Sequence, residues 1–208
     1  MPSPLDPTVF VVDDDAAVRK AVSRLLRSAG VAVAVFASPR EFLAQYDPAT
    51  PGCLVLDVAM PGFSGLQLQT ALSEKGTSLP IIFLTGHGDV SKSVQAMKGG
   101  AFDFLTKPVN AKNLLPAIHA AIEKDAVARQ ERARLSEICA RLNTLTPRER
   151  EVLEHVVAGK LNKQIADDLG ITEATVKMHR ARVMAKMKAQ SVADLVRLAE
   201  LCGSRGTS

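Results

Sequence analysis

Five short apolar runs recur through the first half of the chain: VFVV (9–12), VAVAVF (31–36), CLVLD (53–57), IIFLT (81–85) and FDFL (102–105). Each is rich in Val, Ile or Phe and short enough to cross a core once, the signature of buried strands. Helical periodicity fills the gaps. Val18, Val22, Leu25 and Ala29 fall on one helical face before Gly30, where a helix ends. Further helical stretches run from about Pro39 to Tyr46, Gly65 to Lys75 and Val90 to Gly99. The last runs from about Asn113 onward, a start that keeps Pro116 in the first turn. Five strands alternating with five helices predict an α/β, doubly wound, five-stranded parallel sheet. Such sheets bind ligands at the carboxyl ends of their strands, where the strand order reverses.

The polar residues at those strand ends are therefore the ones to examine. Asp13 and Asp14 follow the first run, Asp57 ends the third, Thr85 ends the fourth, and Lys107 stands two residues past the fifth. Three carboxylates gathered without a counter-ion repel one another and raise one another's pKa. A divalent cation relieves that repulsion. Oxygen-only ligands favour a hard ion, and a few carboxylates with room for waters suit Mg²⁺ better than a Ca²⁺ cage. Lys107 offsets further charge. Asp15, the third aspartate in a row, reads as the cap of the first helix.

VVDDD, LDVAMPGFSG, FLTGHGD and GAFDFLTKP, in this order and with Asp57 lying 44 and 43 residues after Asp13 and Asp14, resemble the receiver domain of two-component response regulators. The resemblance covers about residues 7–122 and implies a flavodoxin-like fold. It makes Asp57 the nucleophile that takes a phosphoryl group from the phosphohistidine of a sensor histidine kinase. It places Mg²⁺ on Asp13, Asp14, Asp57 and the backbone carbonyl of Ala59. Lys107 would contact a phosphoryl oxygen, with Lys107-Pro108 a plausible cis peptide. Thr85 and Phe104 would form the switch that repacks the fourth helix, fifth strand and fifth helix, the face through which a phosphorylated homodimer forms. The chain departs from the pattern at Ala59, where receivers often carry a polar side chain, so the lifetime of the phosphate is not implied.

The second half changes character. Residues 1–122 carry 10 basic and 10 acidic residues, whereas the remaining 86 carry 16 and 12, so the whole net charge of +4 lies there. EKDAVARQERARLSE (123–137) is a strong helix former without Pro or Gly, read as extending the fifth helix, with Leu135, Ile138 and Leu142 as an apolar edge. Thr146, Pro147 and Glu149 form a capping box, and the helix that follows ends at Gly159. Asn162 caps a short helix that ends at Gly170, and a third helix runs from Thr172 to about Lys188. Ser191 and Asp194 begin a fourth. The tight turn at Gly170 fits an all-α helix-turn-helix whose third helix enters the major groove. Helical phase turns Val176, Val183 and Met187 to the core and Lys177, Met178, Ala181, Arg182, Ala185 and Lys188 away from it. Between Glu173 and Asp194 five basic residues occur without an acidic one, which suits phosphate backbones. Lys163, Thr172 and Thr175 join Lys177, Met178, Ala181, Arg182 and Lys188 as candidate DNA contacts. Arg180 lies near the core edge, either facing DNA or pairing with an acidic residue of the first of these helices, and His179 reads as structural.

LTPREREVLEHVVAGKLNKQIADDLGITEATVKMHRARVMAKM is similar to the LuxR-type DNA-binding domain over about residues 142–203. With the receiver before it, the chain resembles the FixJ/NarL family of transcriptional regulators. The expected organisation is a receiver at 1–122, a helical linker at 123–141 and a LuxR-type domain at 142–208. The expected function is phosphorylation-controlled binding of promoter DNA, with activation the expected sign and RNA polymerase a further partner. Two rivals stand beside it. A haloacid-dehalogenase-like phosphotransferase also uses an Asp nucleophile and Mg²⁺, but Ala59 stands where its second carboxylate belongs. A regulator tuned by a small ligand would need a ligand domain that this pattern does not contain.

The remaining composition narrows the setting. No run approaches the 18 or so apolar residues of a membrane span, and MPSPLDPT lacks the regions of a signal peptide, so the chain reads as cytoplasmic, with no membrane partner. Cys53, Cys139 and Cys202 are odd in number and widely spaced, and are expected to be reduced packing residues rather than a disulfide or a zinc site.

Overall fold

The computed structural model describes residues 6–86 and 90–203, with residues 90–93 and 203 described by their backbone alone. His87, Gly88 and Asp89 of the FLTGHGD motif therefore lie outside the described residues. The chain divides into two compact units between Arg129 and Gln130. In the first, β1 (Thr8–Val12), β2 (Ala32–Phe36), β3 (Gly52–Asp57), β4 (Ile81–Thr85) and β5 (Asp103–Thr106) alternate with helices. These are α1 (Ala16–Ser28), α2 (Pro39–Gln45), α3 (Gly65–Glu74), α4 (Val90–Lys98) and the start of α5 (Ala111–Asn143). All strand pairs are parallel and the order is β2-β1-β3-β4-β5.

The period-2 alternation of each strand builds a core on either side of the sheet. From β1 and β3, Val9, Val11, Cys53 and Val55 point into one core with Leu26, Leu114 and Ile118 of α1 and α5. Phe10, Val12, Leu54 and Leu56 point into the other with Phe42 and Leu68 of α2 and α3. Strands buried on both faces must be apolar at every position, and β3 and β4 are buried along their whole lengths.

Two sequence expectations in this unit change. Helix α5 begins at Ala111, because the Asn110 side chain accepts the Asn113 N–H at 3.0 Å and caps it two residues early. Pro116 therefore sits inside the second turn. The carbonyl of Lys112 that its missing N–H would have met lies on an exposed stretch where water can serve. The part of α5 expected to leave the receiver is also packed down. Asp125 is buried and accepts the Gly52 N–H at 2.9 Å and Arg129 Nε at 2.6 Å, and Arg129 donates onward to the Ala49 and Thr50 carbonyls at 3.0 and 2.7 Å.

In the second unit, α5 from Gln130 packs with α6 (Pro147–Val157), α7 (Asn162–Leu169), α8 (Glu173–Met187) and α9 (Val192–Gly203). Ile138, Leu153, Ile165, Val176, Val183 and Leu195 are among the residues of their shared core. The Thr146–Glu149 capping box forms. Gly170 takes the left-handed conformation (φ 63°) that ends α7 and turns the chain into α8, and Arg148 donates to the Leu169 carbonyl at 2.6 Å to hold that turn.

Asn162 is not the cap expected of it. Leu161 holds that position, with its N–H donated to Gln164 at 2.9 Å, while Asn162 Oδ1 is taken by Arg180 of α8 at 2.6 Å. The cysteine expectation is likewise overturned for two of the three. Cys139 and Cys202 are disulfide-bonded, because α5 and α9 cover the same core and bring their Cα atoms to 5.6 Å, within disulfide reach. Cys53 is free and fully buried. Among the described residues no helix is long and apolar enough to cross a membrane.

Candidate functional site

The strand order reverses between β1 and β3, and at their carboxyl edge β3 ends in Asp57 while Asp13 follows β1 directly. Asp13, just past β1, is fully buried and held from several sides. Its Oδ1 accepts the Asp15 N–H at 2.9 Å, and its own N–H donates to the Phe36 carbonyl at 3.3 Å. Arg19 donates to the carbonyls of Asp13 and Asp14 at 2.7 and 2.9 Å and so fixes the loop from the α1 side. Asp15 caps α1 by accepting the Ala17 N–H at 2.7 Å, the role read from the sequence.

Asp57 ends β3 and is 5% exposed. Gly65, the first residue of α3, donates its N–H to the Val58 carbonyl at 3.2 Å and packs so close to the Asp57 backbone that a Cβ there would collide with the Asp57 carbonyl. One carboxylate oxygen each from Asp13, Asp14 and Asp57 lies within 4.8 Å of the other two, Asp14 being exposed. Lys107 reaches in from the end of β5, its Nζ 2.7 Å from Asp13 Oδ2 and 2.9 Å from Asp57 Oδ1, and the Lys107-Pro108 bond that follows is cis.

The electrostatics follow from this crowding. Burial pushes the Asp57 carboxyl upward; the Lys107 hydrogen bond and charge pull it down, and Asp13 and Asp14 push it up again, so it stays above the ordinary carboxylate range. Burial alone would lower the Lys107 ammonium, but its hydrogen bonds to Asp13 and Asp57 outweigh that and raise it. A pocket of hard carboxylate oxygens, negative beyond what one ammonium neutralises, fits a Mg²⁺-sized cation in its donor chemistry. Ala59, whose carbonyl is the further donor expected, is exposed beside it. Thr85 is buried at the end of β4 and donates to the Gly86 carbonyl at 3.2 Å. Phe104, half-buried on β5, packs against the core on the α2–α3 side.

In the second unit the phase of α8 is as read: Val176, Val183 and Met187 are buried, while Lys177, Met178, Ala181, Arg182 and Ala185 are exposed. Thr172 caps α8 through the Thr175 N–H at 3.2 Å, and the two hydroxyls lie 2.8 Å apart. Lys163 is exposed on α7. Lys188 is exposed just beyond α8 in the left-handed conformation (φ 53°). The α8 residue that pairs with an acid of α6 is Lys186 rather than Arg180: Lys186 Nζ sits 2.6 Å from Glu149 Oε2, and that glutamate is 3% exposed. The Lys186 hydrogen bond, then the Thr146 N–H, lowers the Glu149 carboxyl to about 2. The capping box was the signal for Glu149; nothing in the spacing of α8 distinguishes Lys186 from its solvated neighbours.

A model of the response regulator receiver domain matches residues 9–119, and a model of the luxR family of bacterial regulatory proteins matches residues 143–199. Nodulation protein W of Bradyrhizobium diazoefficiens is 47% identical over 195 residues, covering 94% of this chain and 86% of that protein. The transcriptional regulatory protein FixJ of Azorhizobium caulinodans is 48% identical over 196 residues, covering 94% and 92%. The solved structure of the response regulator StyR superposes with a TM-score of 0.84 at 46% identity, covering 94% of this chain and 98% of that one.

Proposed function

The chain belongs to the FixJ/NarL family of response regulators, which join a receiver domain to a LuxR-type DNA-binding domain, and from that premise we propose that phosphorylation of Asp57 by a sensor histidine kinase controls its binding to promoter DNA. It is a two-component, DNA-binding transcriptional regulator. The observation that carries the proposal is the convergence of Asp13, Asp14 and Asp57 within 4.8 Å, with Lys107 2.9 Å from the acceptor carboxylate.

Asp13, Asp14, Asp57 and the Ala59 carbonyl would hold Mg²⁺. Bound there, the ion offsets the charge on the phosphoryl oxygens and on the carboxylates. A carboxylate oxygen of Asp57 forms a bond to phosphorus as the phosphorus–nitrogen bond of the kinase phosphohistidine breaks. Lys107 then exchanges its contact with Asp57 for one with a phosphoryl oxygen. Thr85 turns its hydroxyl from the Gly86 carbonyl to the phosphoryl group, and Phe104 turns into the space vacated. That repacks α4, β5 and α5, the face offered to a second copy. The protein acts as a phosphoacceptor that assists its own phosphorylation and dephosphorylation, not as a turnover enzyme, and works in the cytoplasm.

On DNA, α8 would lie in the major groove. Ala181 and Ala185 let it approach base edges, while Lys163, Thr172, Thr175, Lys177, Met178, Arg182 and Lys188 contact bases or phosphates. A dimer doubles the phosphate contacts and reads paired half-sites, which suits an activator that also engages RNA polymerase. Gel-shift titration of promoter DNA with and without an acyl-phosphate donor and Mg²⁺ tests the reading. The modified protein should bind more tightly and with two copies per site; identical affinity and stoichiometry in both conditions reject the switch.

A further inference from the structure

The second unit contains a cysteine pair that phosphorylation and DNA binding leave unused. Cys139 follows the buried Ile138 on α5, and Cys202 lies near the end of α9 against the same core. Both are half-buried, so solvent reaches part of each residue. The bond between them spans 63 positions and closes a covalent loop around α6, α7 and α8, the elements that form the helix-turn-helix. A cleft of about 500 Å³ opens between α5 and α9, lined by Arg134, Glu137 and Arg141 on one side and by Asp194 and Arg197 on the other. Arg141 is paired with Glu137 and Arg197 with Asp194, each within its own helix, while the Arg134 charge on α5 acts across the cleft on Asp194. The covalent link thus adds to the contact that α5 and α9 already make through their shared apolar core.

We infer that Cys139 and Cys202 form a reversible dithiol–disulfide site that exchanges with a small disulfide of the glutathione class and sets the stability of the DNA-binding unit. One cysteine thiolate attacks the small disulfide, forming a mixed disulfide and expelling one small thiol. The second cysteine attacks the protein sulfur of that mixed disulfide and expels the other. Two electrons pass from the protein sulfurs to the small disulfide, and the two thiol protons end on the two small thiols released. Excess small thiol drives the reverse. The adjacent partner sulfur makes the mixed disulfide short-lived, and partial exposure admits the reagent. Closing so long a loop removes freedom from the unfolded chain, so the link stabilises the unit it encloses. In a thiol-rich compartment, as proposed above, such a bond forms only when the redox balance shifts. Cys53 is an internal control: it is fully enclosed, and burial, then the Asp125 charge, pushes its thiol up to about 12.

The full-length protein, equilibrated in mixtures of reduced and oxidised glutathione, tests this by alkylation with peptide mapping and by thermal unfolding. With oxidised glutathione in excess, the Cys139–Cys202 link forms while Cys53 stays unmodified, and the melting temperature of the second unit rises by on the order of 10 °C. Reduced glutathione in excess removes both effects. C139S and C202S each lack the rise in melting temperature in either buffer, whether or not the remaining thiol carries a glutathione, and C53S leaves the response of the second unit unchanged. Alkylatable Cys139 and Cys202 in oxidised glutathione, a link that survives excess reduced glutathione, or a melting temperature indifferent to the link would each overturn the inference. Neither readout involves DNA or phosphate, so this result stands or falls separately from the phosphorylation reading.

Discussion

At the scale of single residues, the pocket at the carboxyl edge concentrates opposing demands on Asp57. Its carboxyl is held above the ordinary range, chiefly by burial. A group raised in this way stabilises the fold below its unfolded pKa and loses that contribution as pH rises through its folded value. At neutral pH the ionised Asp57 is thus a net cost. D57N should abolish phosphoacceptance from an acyl phosphate and yet raise stability at pH 7 by about 1 kcal/mol, a gain that shrinks on going to a mildly acidic pH, as the wild-type carboxyl takes up a proton. Chemical denaturation at the two pH values checks it. K107M removes the ammonium that lies between Asp13 and Asp57 and leaves both carboxylates buried without it. It should cost about 2 kcal/mol at pH 7, less on acidification, and part of the loss should return on adding Mg²⁺.

At the scale of elements, the Glu149–Lys186 pair ties α6 to α8 inside the second unit. The Glu149 carboxyl is lowered, so its contribution is complete above its ordinary value of about 4.5 and is lost as pH falls toward about 2. E149Q should destabilise the second unit by about 1–2 kcal/mol at pH 7, less than a fully buried pair because Lys186 is partly exposed, and its acid unfolding should lack the component that the wild type shows in that window. K177A, on the exposed face of α8, should weaken DNA binding and reduce the slope of log affinity against log salt by about 1 if that lysine meets a phosphate. Elements of this kind were legible where a local pattern dictates them. All five strands, the Thr146 box, the Asp15 cap and the buried phase of α8 follow from periodicity and short-range hydrogen bonding. What escaped depends on which elements meet in space. Asn162 gave up its capping role because Arg180 of the next helix takes its oxygen, and Lys186 differs from Arg182 only in the buried glutamate it faces. The Asp13–Asp14–Asp57–Lys107 cluster could be read because a parallel sheet delivers strand ends to one edge. No comparable rule brings Cys139 to Cys202.

At the scale of the whole molecule, each unit has its own core, those of the sheet and that of α5–α9. Calorimetry should therefore resolve a Mg²⁺-responsive transition belonging to the first unit and a Mg²⁺-indifferent one belonging to the second. The receiver resemblance set a boundary after Ile122, but the Asp125–Arg129 latch reaches back to residues 49–52, at the foot of the strand that carries Asp57. A truncated fragment ending at Ile122 would forfeit the carboxylate that accepts the Gly52 N–H and the guanidinium that donates to two loop carbonyls. It should be less stable than a fragment ending at Arg129 by about 1–3 kcal/mol. The seven residues between those two cut sites thus belong to the folding unit of the sheet, and expression trials of the isolated receiver should keep them.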